Sequence, residues 1–163
     1  LQGHRVLVLG AGGAARAAVV GLAREGADVM VVNRSLDKAR TMIANLALSN
    51  IALRAEAVTL DVAVETGFSL IVNCTPAGML PNIEESPWTH GVPIPAGVTV
   101  YDMVYRPALT ALMRAVENAG GRAIGGLGML VHQGAAAFRI WTGVEPPVEV
   151  MFEAARAQLS GTL

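Results

Sequence analysis

A short apolar run that ends in a cluster of glycines constrains this chain more than any other segment. Residues Arg5–Leu9 read Arg-Val-Leu-Val-Leu, and Gly10-Ala-Gly-Gly-Ala-Ala15 follows directly. An apolar run of this length that is bounded by glycine predicts a buried strand. The Ala- and Leu-rich segment Gly13–Glu25, which stops at Gly26, predicts a helix after the turn. A strand, a tight glycine turn and a helix therefore open the chain, which is the start of a βαβ unit.

The same alternation continues to the end of the chain. Further strands are predicted at Asp28–Val32, Ala55–Leu60 (weakly), Leu70–Asn73, Val98–Asp102 and Arg122–Gly125. Further helices are predicted at Leu36–Leu48 with Ser35 as N-cap, Thr110–Ala119, Met129–Trp141 and Pro147–Leu159. The proline-rich segment Pro81–Gly97 predicts an exposed excursion. This order predicts an α/β fold: a doubly wound parallel sheet (Rossmann-like) of about six strands, with two C-terminal helices.

Length and composition exclude several classes of protein. The 163 residues fit one domain, and 53% hydrophobic against 15% charged residues predicts a surface that faces another domain or a second copy. A net charge of −1 gives no footprint for nucleic acid or an anionic membrane. No apolar run approaches the roughly 20 residues of a membrane span. The single cysteine, Cys74, excludes an internal disulfide and fits a cytoplasmic location. The histidines and Cys74 show no metal-ligand spacing.

The glycine turn has the arrangement of a dinucleotide-binding loop. Gly10 permits the tight turn, and Gly12 lets the backbone approach a pyrophosphate whose charge the free amides of the helix start bind. Ala15 takes the third fingerprint position, where a small residue allows helix and strand to pack closely. A glycine turn without a ligand is the alternative. The strand–turn–helix context favours the dinucleotide.

The end of the second predicted strand selects between the two nicotinamide dinucleotides. NAD sites usually carry Asp or Glu there, whereas this chain has Asn33-Arg34-Ser35 with Lys38 one turn later. A carboxylate repels a 2′-phosphate, and a guanidinium binds it through paired hydrogen bonds. The sequence therefore predicts NADP(H), with a solvated surface arginine as the alternative for Arg34.

Five motifs together resemble the C-terminal, NADP-binding half of the shikimate dehydrogenase family. They are Gly10-Ala-Gly-Gly-Ala-Ala-Arg16, Asn33-Arg-Ser35, Asn73-Cys-Thr-Pro-Ala-Gly-Met79, Asp102-Met-Val-Tyr-Arg-Pro107 and Gly128-Met-Leu-Val-His-Gln133. The resemblance implies one NADP-binding domain over residues 1–163, with a core of about 1–127. It also implies that helices in 128–163 pack toward an N-terminal substrate-binding domain of the same polypeptide. The absence of an initiator Met agrees with a piece of a longer chain.

The resemblance assigns roles residue by residue. The implied cofactor-binding residues are Gly10, Ala11, Gly12, Gly13, Ala14, Asn33, Arg34, Ser35, Lys38, Asn73, Thr75, Pro76, Ala77, Met79, Val104, Gly126 and Met129. Tyr105 and Gln133 are implied to touch the substrate. For Gln133 the alternative is a helix-start residue that faces water. For Tyr105 it is a packing residue with a bonded hydroxyl.

No catalytic residue is expected within this chain. Reduction of a ketone needs an acid that protonates the developing alkoxide, and the resemblance places a Lys–Asp pair for this role in the N-terminal domain. Lys38 is the only lysine and lies at the adenine end. Asp102 is expected to bond the following turn, Cys74 to pack, and His132 to be a plain surface or core histidine.

The chain is thus expected to be the cofactor half of an enzyme that interconverts 3-dehydroshikimate and shikimate with NADPH, and to be inactive alone. A quinate/shikimate dehydrogenase and a non-catalytic NADP-sensing module are the alternatives.

Overall fold

The first apolar run forms the central strand of the sheet. In the computed structural model, which describes residues 1–48 and 52–160, β1 spans Arg5–Leu9. The four residues from Val6 to Leu9 are at most 1% exposed. Helices cover both faces of a parallel sheet, so its strands read as continuous apolar runs rather than alternating ones.

Five further strands pair parallel to one another and to β1. They are β2 (Asp28–Val32), β3 (Ala55–Ala57), β4 (Leu70–Asn73), β5 (Thr99–Asp102) and β6 (Arg122–Ile124). The helices are α1 (Gly13–Arg24), α2 (Leu36–Ala47), α3 (Leu60–Thr66), α4 (Ala111–Asn118), α5 (Leu127–Thr142) and α6 (Val148–Ser160). The strand order β3-β2-β1-β4-β5-β6 confirms the predicted doubly wound parallel sheet and its two C-terminal helices. Because the order reverses between β1 and β4, a crevice opens at the carboxyl ends of those strands.

The sheet separates two apolar clusters. On one face Ala15 and Val19 of α1 and Met42 of α2 pack on the sheet. On the other face Leu60 of α3 and Leu112 of α4 do the same. An apolar core on each face of the sheet therefore supports the strands whose carboxyl ends form the crevice. Within residues 1–48 and 52–160, no helix has the length and apolar character that crossing a membrane requires.

The predicted strand Ala55–Leu60 was wrong in its second half. The strand stops at Ala57, and Leu60 begins α3, a helix that the sequence analysis did not predict. Leu60 is 6% exposed and Ala63 is fully buried, so one face of α3 covers the sheet. Seven residues are too few for a helical period to stand out from a short apolar run. Other predicted element ends agree with the structure or differ from it by at most two residues, as helix and strand ends commonly do.

The proline-rich excursion Pro81–Gly97 is not exposed throughout. Trp88 is 9% exposed, and its indole N–H donates to the carbonyl of Val92 at 2.9 Å. Its ring also meets Phe68 edge-on at a centroid distance of 6.3 Å. The excursion therefore returns to cover the sheet face that α3 and α4 share. Ser35 does occupy the N-cap position of α2, but its side chain makes no capping hydrogen bond.

Candidate functional site

The loops after β1 and β4 meet at the carboxyl edge of the sheet. The backbone N–H of Gly10 donates to Val32 at 2.8 Å, and that of Cys74 donates to Leu9 at 2.9 Å. Gly10 has a φ of +110°, and a Cβ there would lie 3.2 Å from Thr75 Cγ2. Both the backbone conformation and this close approach favour glycine. The glycine turn is thus held directly against the Thr75 loop.

The start of α1 is open to an anion. Gly12 is its N-cap without a side-chain hydrogen bond, and no acidic residue stands in the first turn. Gly12, Gly13 and Ala14 are exposed. The first N–H groups of a helix have no partner within the helix, and the helix dipole favours negative charge at this end. Exposed glycines at this position allow a pyrophosphate to reach those N–H groups.

The end of β2 presents two free cations. Arg34 and Lys38 are exposed, and neither side chain forms a hydrogen bond or ion pair with the residues that the structure describes. Asn33 is half-buried, and its Nδ2 donates to the carbonyl of Ser35 at 2.8 Å. This bond shapes the turn that carries Arg34. Two cations that form no ion pair with a described carboxylate suit a phosphate group.

A buried polar network lies beneath the loops after β4 and β5. Asn73 and Asp102 stand opposite each other at the ends of these strands, and both are fully buried. Asp102 Oδ1 accepts from Asn73 Nδ2 at 2.9 Å and from the Val104 N–H at 3.0 Å. Its Oδ2 accepts from Thr110 Oγ1 at 2.7 Å. The predicted bond from Asp102 to the following turn is confirmed, and two further partners are added.

The network continues on both sides of Asp102. Asn73 Oδ1 accepts from the N–H and the hydroxyl of Thr75, at 2.9 and 2.8 Å. Thr110 Oγ1 accepts from the Met113 N–H at 3.2 Å and so caps α4. The loop after β4, the loop after β5 and the start of α4 therefore share one set of hydrogen bonds. Asn73, predicted to bind cofactor, has its side chain engaged in this network.

Burial controls the ionisation of the two titratable groups here. Burial raises the pKa of Asp102 above its ordinary value of 3.8, although the hydrogen bonds from Thr110, Val104 and Asn73 oppose the shift. Burial and, to a smaller extent, the Asp102 carboxylate raise the pKa of Cys74 to about 12. Cys74 is thus a neutral thiol at ordinary pH, and it is not activated as a nucleophile.

The loops after β5 and β6 are in close contact. The Gly126 N–H donates to Val104 at 3.1 Å, and Val104 is 5% exposed. A Cβ on Gly126 would lie 2.2 Å from the carbonyl oxygen of Met103. Only a residue without a Cβ allows this approach. The structure therefore brings together Val104 and Gly126, two of the residues that the resemblance implies for cofactor binding.

Most of the remaining predicted residues are accessible to solvent. Met79 is 44% and Tyr105 is 37% exposed. Leu80 follows Met79 and Arg106 follows Tyr105. The Leu80 N–H donates to the Arg106 carbonyl at 3.4 Å, which joins the two segments. The other predicted site residues are exposed or half-buried, namely Ala11, Pro76, Ala77, Met129 and Gln133. The predicted residues thus divide into a buried, hydrogen-bonded set around Asn73 and an exposed or half-buried set.

Sequence reasoning missed Thr110 as a member of this site. Its only sequence signal is its position before α4, which explains the helix cap but not the bond to Asp102. His132 is exposed and meets Phe152 edge-on at 5.5 Å, which agrees with a surface packing role. Among residues 1–48 and 52–160, no group of three His, Cys, Asp or Glu side chains could hold a metal ion.

Family models match both ends of the chain, and known proteins match nearly all of it. Residues 1–66 match the family model "Shikimate / quinate 5-dehydrogenase", and residues 126–156 match "Shikimate 5'-dehydrogenase C-terminal domain". The shikimate dehydrogenase (NADP(+)) of Methanopyrus kandleri is 42% identical over 158 residues, which is 94% of this chain and 54% of that protein. The chain spans about half the length of the curated relatives it matches.

Solved structures match this chain over nearly all of its length and over about half of their own. A shikimate dehydrogenase in complex with NADP+ matches with a TM-score of 0.86 and 35% identity, over 98% of this chain and 56% of that one. A quinate dehydrogenase from Corynebacterium glutamicum in complex with NAD matches with a TM-score of 0.79 and 28% identity, over 96% and 55%.

Proposed function

This chain belongs to the shikimate dehydrogenase family, and from that membership we propose that it is the NADP(H)-binding domain of a shikimate dehydrogenase. The observation that carries the proposal is the open helix start at Gly12 beside Arg34 and Lys38, with no carboxylate in residues 33–35. A chain built to bind NAD would be expected to place Asp or Glu there.

We assign the parts of the cofactor to the elements that surround the crevice. The turn Gly10–Ala14 binds the pyrophosphate through the free N–H groups at the start of α1, and Arg34 and Lys38 with Asn33 and Ser35 bind the 2′-phosphate. The nicotinamide end is lined by Asn73, Thr75, Pro76, Ala77, Met79, Val104, Gly126 and Met129. NADPH supplies the hydride when it is bound. The hydrogen-bond network around Asp102 holds the loops at the nicotinamide end in place.

For the whole enzyme we propose reversible reduction of 3-dehydroshikimate to shikimate. Tyr105 and Gln133, both exposed at the open side of the crevice, contact the substrate. An N-terminal domain of the same polypeptide binds the remainder of it. In this assignment residues 1–127 form the cofactor core, and 128–163 face that partner domain. The exposed Ile140 and Trp141, at 79% and 83%, support a covered surface there.

A quinate/shikimate dehydrogenase is the second candidate, and the C. glutamicum match supports it. That relative was solved with NAD, whereas Asn33-Arg34-Ser35 of this chain favours a 2′-phosphate. The cofactor preference therefore separates the two candidates more directly than the fold does.

Isothermal titration of the purified chain is expected to show NADP+ binding at least about tenfold more tightly than NAD+. A charge-assisted hydrogen bond contributes about 1.5–3 kcal/mol, and 1.4 kcal/mol is tenfold in affinity. Arg34→Ala is expected to remove most of this preference, whereas Arg122→Ala, at the opposite edge of the sheet, is expected to keep it. Equal affinities for the two cofactors in the unmodified chain would contradict the proposal.

The 163-residue chain is also expected to show no shikimate-dependent reduction of NADP+, measured by NADPH absorbance. Among the residues that the structure describes, Asp102, Cys74 and Lys38 are unsuited to act as the acid. Asp102 is buried under three donors, Cys74 is a neutral thiol, and Lys38 lies on α2 beside the 2′-phosphate. The reaction then requires the Lys–Asp pair that the family resemblance implies for the N-terminal domain. Turnover by this chain alone would refute that division of labour.

A further inference from the structure

A groove of about 310 Å³ runs between α1 and α2 beside the glycine turn. Its lining residues are Ala11, Arg16, Asp37, Lys38, Thr41, Met42 and Asn45. The α2 members recur at helical spacing, so they form one face of that helix. Arg16 reaches this face from α1. The groove therefore extends directly from the turn that is proposed to hold the pyrophosphate.

The groove carries net positive charge. Neither Arg16 nor Lys38 has a hydrogen-bond or ion-pair partner among the residues that the structure describes. Asp37, the acidic lining residue, is ion-paired with Arg40 at 3.3 Å. Thr41 and Asn45 add a hydroxyl and an amide. Two cations without an ion-pair partner among the described residues, beside a carboxylate that Arg40 already neutralises, suit a phosphate dianion.

Arg16 stands at a position in α1 where its charge lowers the stability of the helix. It stands in the first turn, where the helix dipole makes a cation unfavourable by about 0.3–1 kcal/mol. No acidic residue in that turn compensates it. A side chain that weakens its own helix and has no partner among residues 1–48 and 52–160 is better explained by a ligand.

We infer that Arg16 binds the 2′-phosphate of NADP(H) from the α1 side, opposite Lys38, and thereby adds to the preference for NADP over NAD. The inference rests on the proposed NADP-binding function and adds to it a residue for which sequence motifs gave no role. Arg34 and Lys38 approach the phosphate from the start of α2. Arg16 closes the other side of the pocket, where Ala11 leaves room.

Arg16→Ala is expected to raise the dissociation constant for NADP+ about tenfold and to leave that for NAD+ within about twofold, measured by titration calorimetry. The affinity of this variant for adenosine 2′,5′-bisphosphate is expected to fall by a similar factor. Its affinity for 5′-AMP is expected to stay unchanged. Arg16→Lys keeps the charge without the planar fork and is expected to lie between the two. Arg24→Ala, in the last turn of the same helix, is the control and is expected to change neither affinity.

Two outcomes would overturn the role of Arg16 while leaving the proposed function intact. One is an equal loss of NADP+ and NAD+ affinity, which would place Arg16 on the shared part of the dinucleotide. The other is no change in either. If the unmodified chain binds neither cofactor, the proposed function itself falls, and the role of Arg16 with it. A thermal unfolding curve for Arg16→Ala that shows stability equal to or slightly above that of the unmodified chain confirms that any loss of affinity is local.

Discussion

Replacing Gly126 with alanine is expected to destabilise the chain by about 3 kcal/mol or more, at the upper end of what overpacking costs. The new Cβ would lie 2.2 Å from the Met103 carbonyl oxygen, 2.5 Å from its carbonyl carbon and 3.0 Å from the Asp102 carbonyl oxygen. All three are backbone atoms at the end of β5, so no side-chain rotation relieves the clash. Relief requires the loop after β5 to move away from the start of α5.

Gly128→Ala is the matched control for this prediction. It lies two residues later, inside α5, and its Cβ would meet no atom within 4 Å. Alanine is favoured over glycine within a helix by about 1 kcal/mol, so this variant is expected to be neutral or slightly more stable. Urea unfolding of both variants measures the difference. Similar free energies of unfolding for Gly126→Ala and Gly128→Ala would show that the close approach does not constrain the loop.

A functional consequence accompanies the loss of stability. The Gly126 N–H donates to Val104, and both residues are proposed to flank the nicotinamide. Any displacement that accommodates the Cβ therefore moves this wall of the site. In whatever fraction of Gly126→Ala remains folded, NADP+ affinity is expected to fall.

The central sheet could be predicted because its signal is local. The runs Arg5–Leu9 and Asp28–Val32 are apolar throughout because both of their faces are buried, and glycine or a helix start bounds them. The glycine turn was predictable for the same reason, since Gly10 needs a positive φ whatever surrounds it.

The features that the sequence did not predict depend on contacts between distant segments. Trp88 is buried because the excursion folds back onto Phe68, which no local pattern records. α3 is stabilised by one buried face over seven residues, too short to show a period. Asn73 and Asp102 were both located at strand ends, but their pairing follows from the β4–β5 register. The closeness of Arg16 to α2 likewise depends on how two helices pack.

Removal of the Asp102 carboxylate is expected to have the second large effect. Asp102→Ala leaves the Asn73 amide, the Val104 N–H and the Thr110 hydroxyl without their buried acceptor. An unsatisfied buried donor costs about 1–3 kcal/mol, so a total loss of about 3 kcal/mol is expected in urea unfolding. Asp37→Ala, an exposed aspartate in the first turn of α2, is the control and is expected to destabilise the chain by about 1 kcal/mol or less. A loss from Asp102→Ala no larger than that of the control would contradict the role of the network.

Asp102→Asn separates the charge of this group from its shape. Burial raises the pKa of Asp102 above its ordinary value of 3.8, so the folded chain holds this proton more tightly than the unfolded chain does. The stability contributed by the protonated group is complete below the unfolded pKa of about 3.9 and is lost as pH rises through the folded pKa. Asparagine does not titrate. The free energy of unfolding of the native chain, minus that of Asp102→Asn, is therefore expected to decrease with rising pH across this window and then to level off. A difference that increases with pH over the same range would mean that the three donors outweigh burial and that the ionised carboxylate is the form the fold prefers.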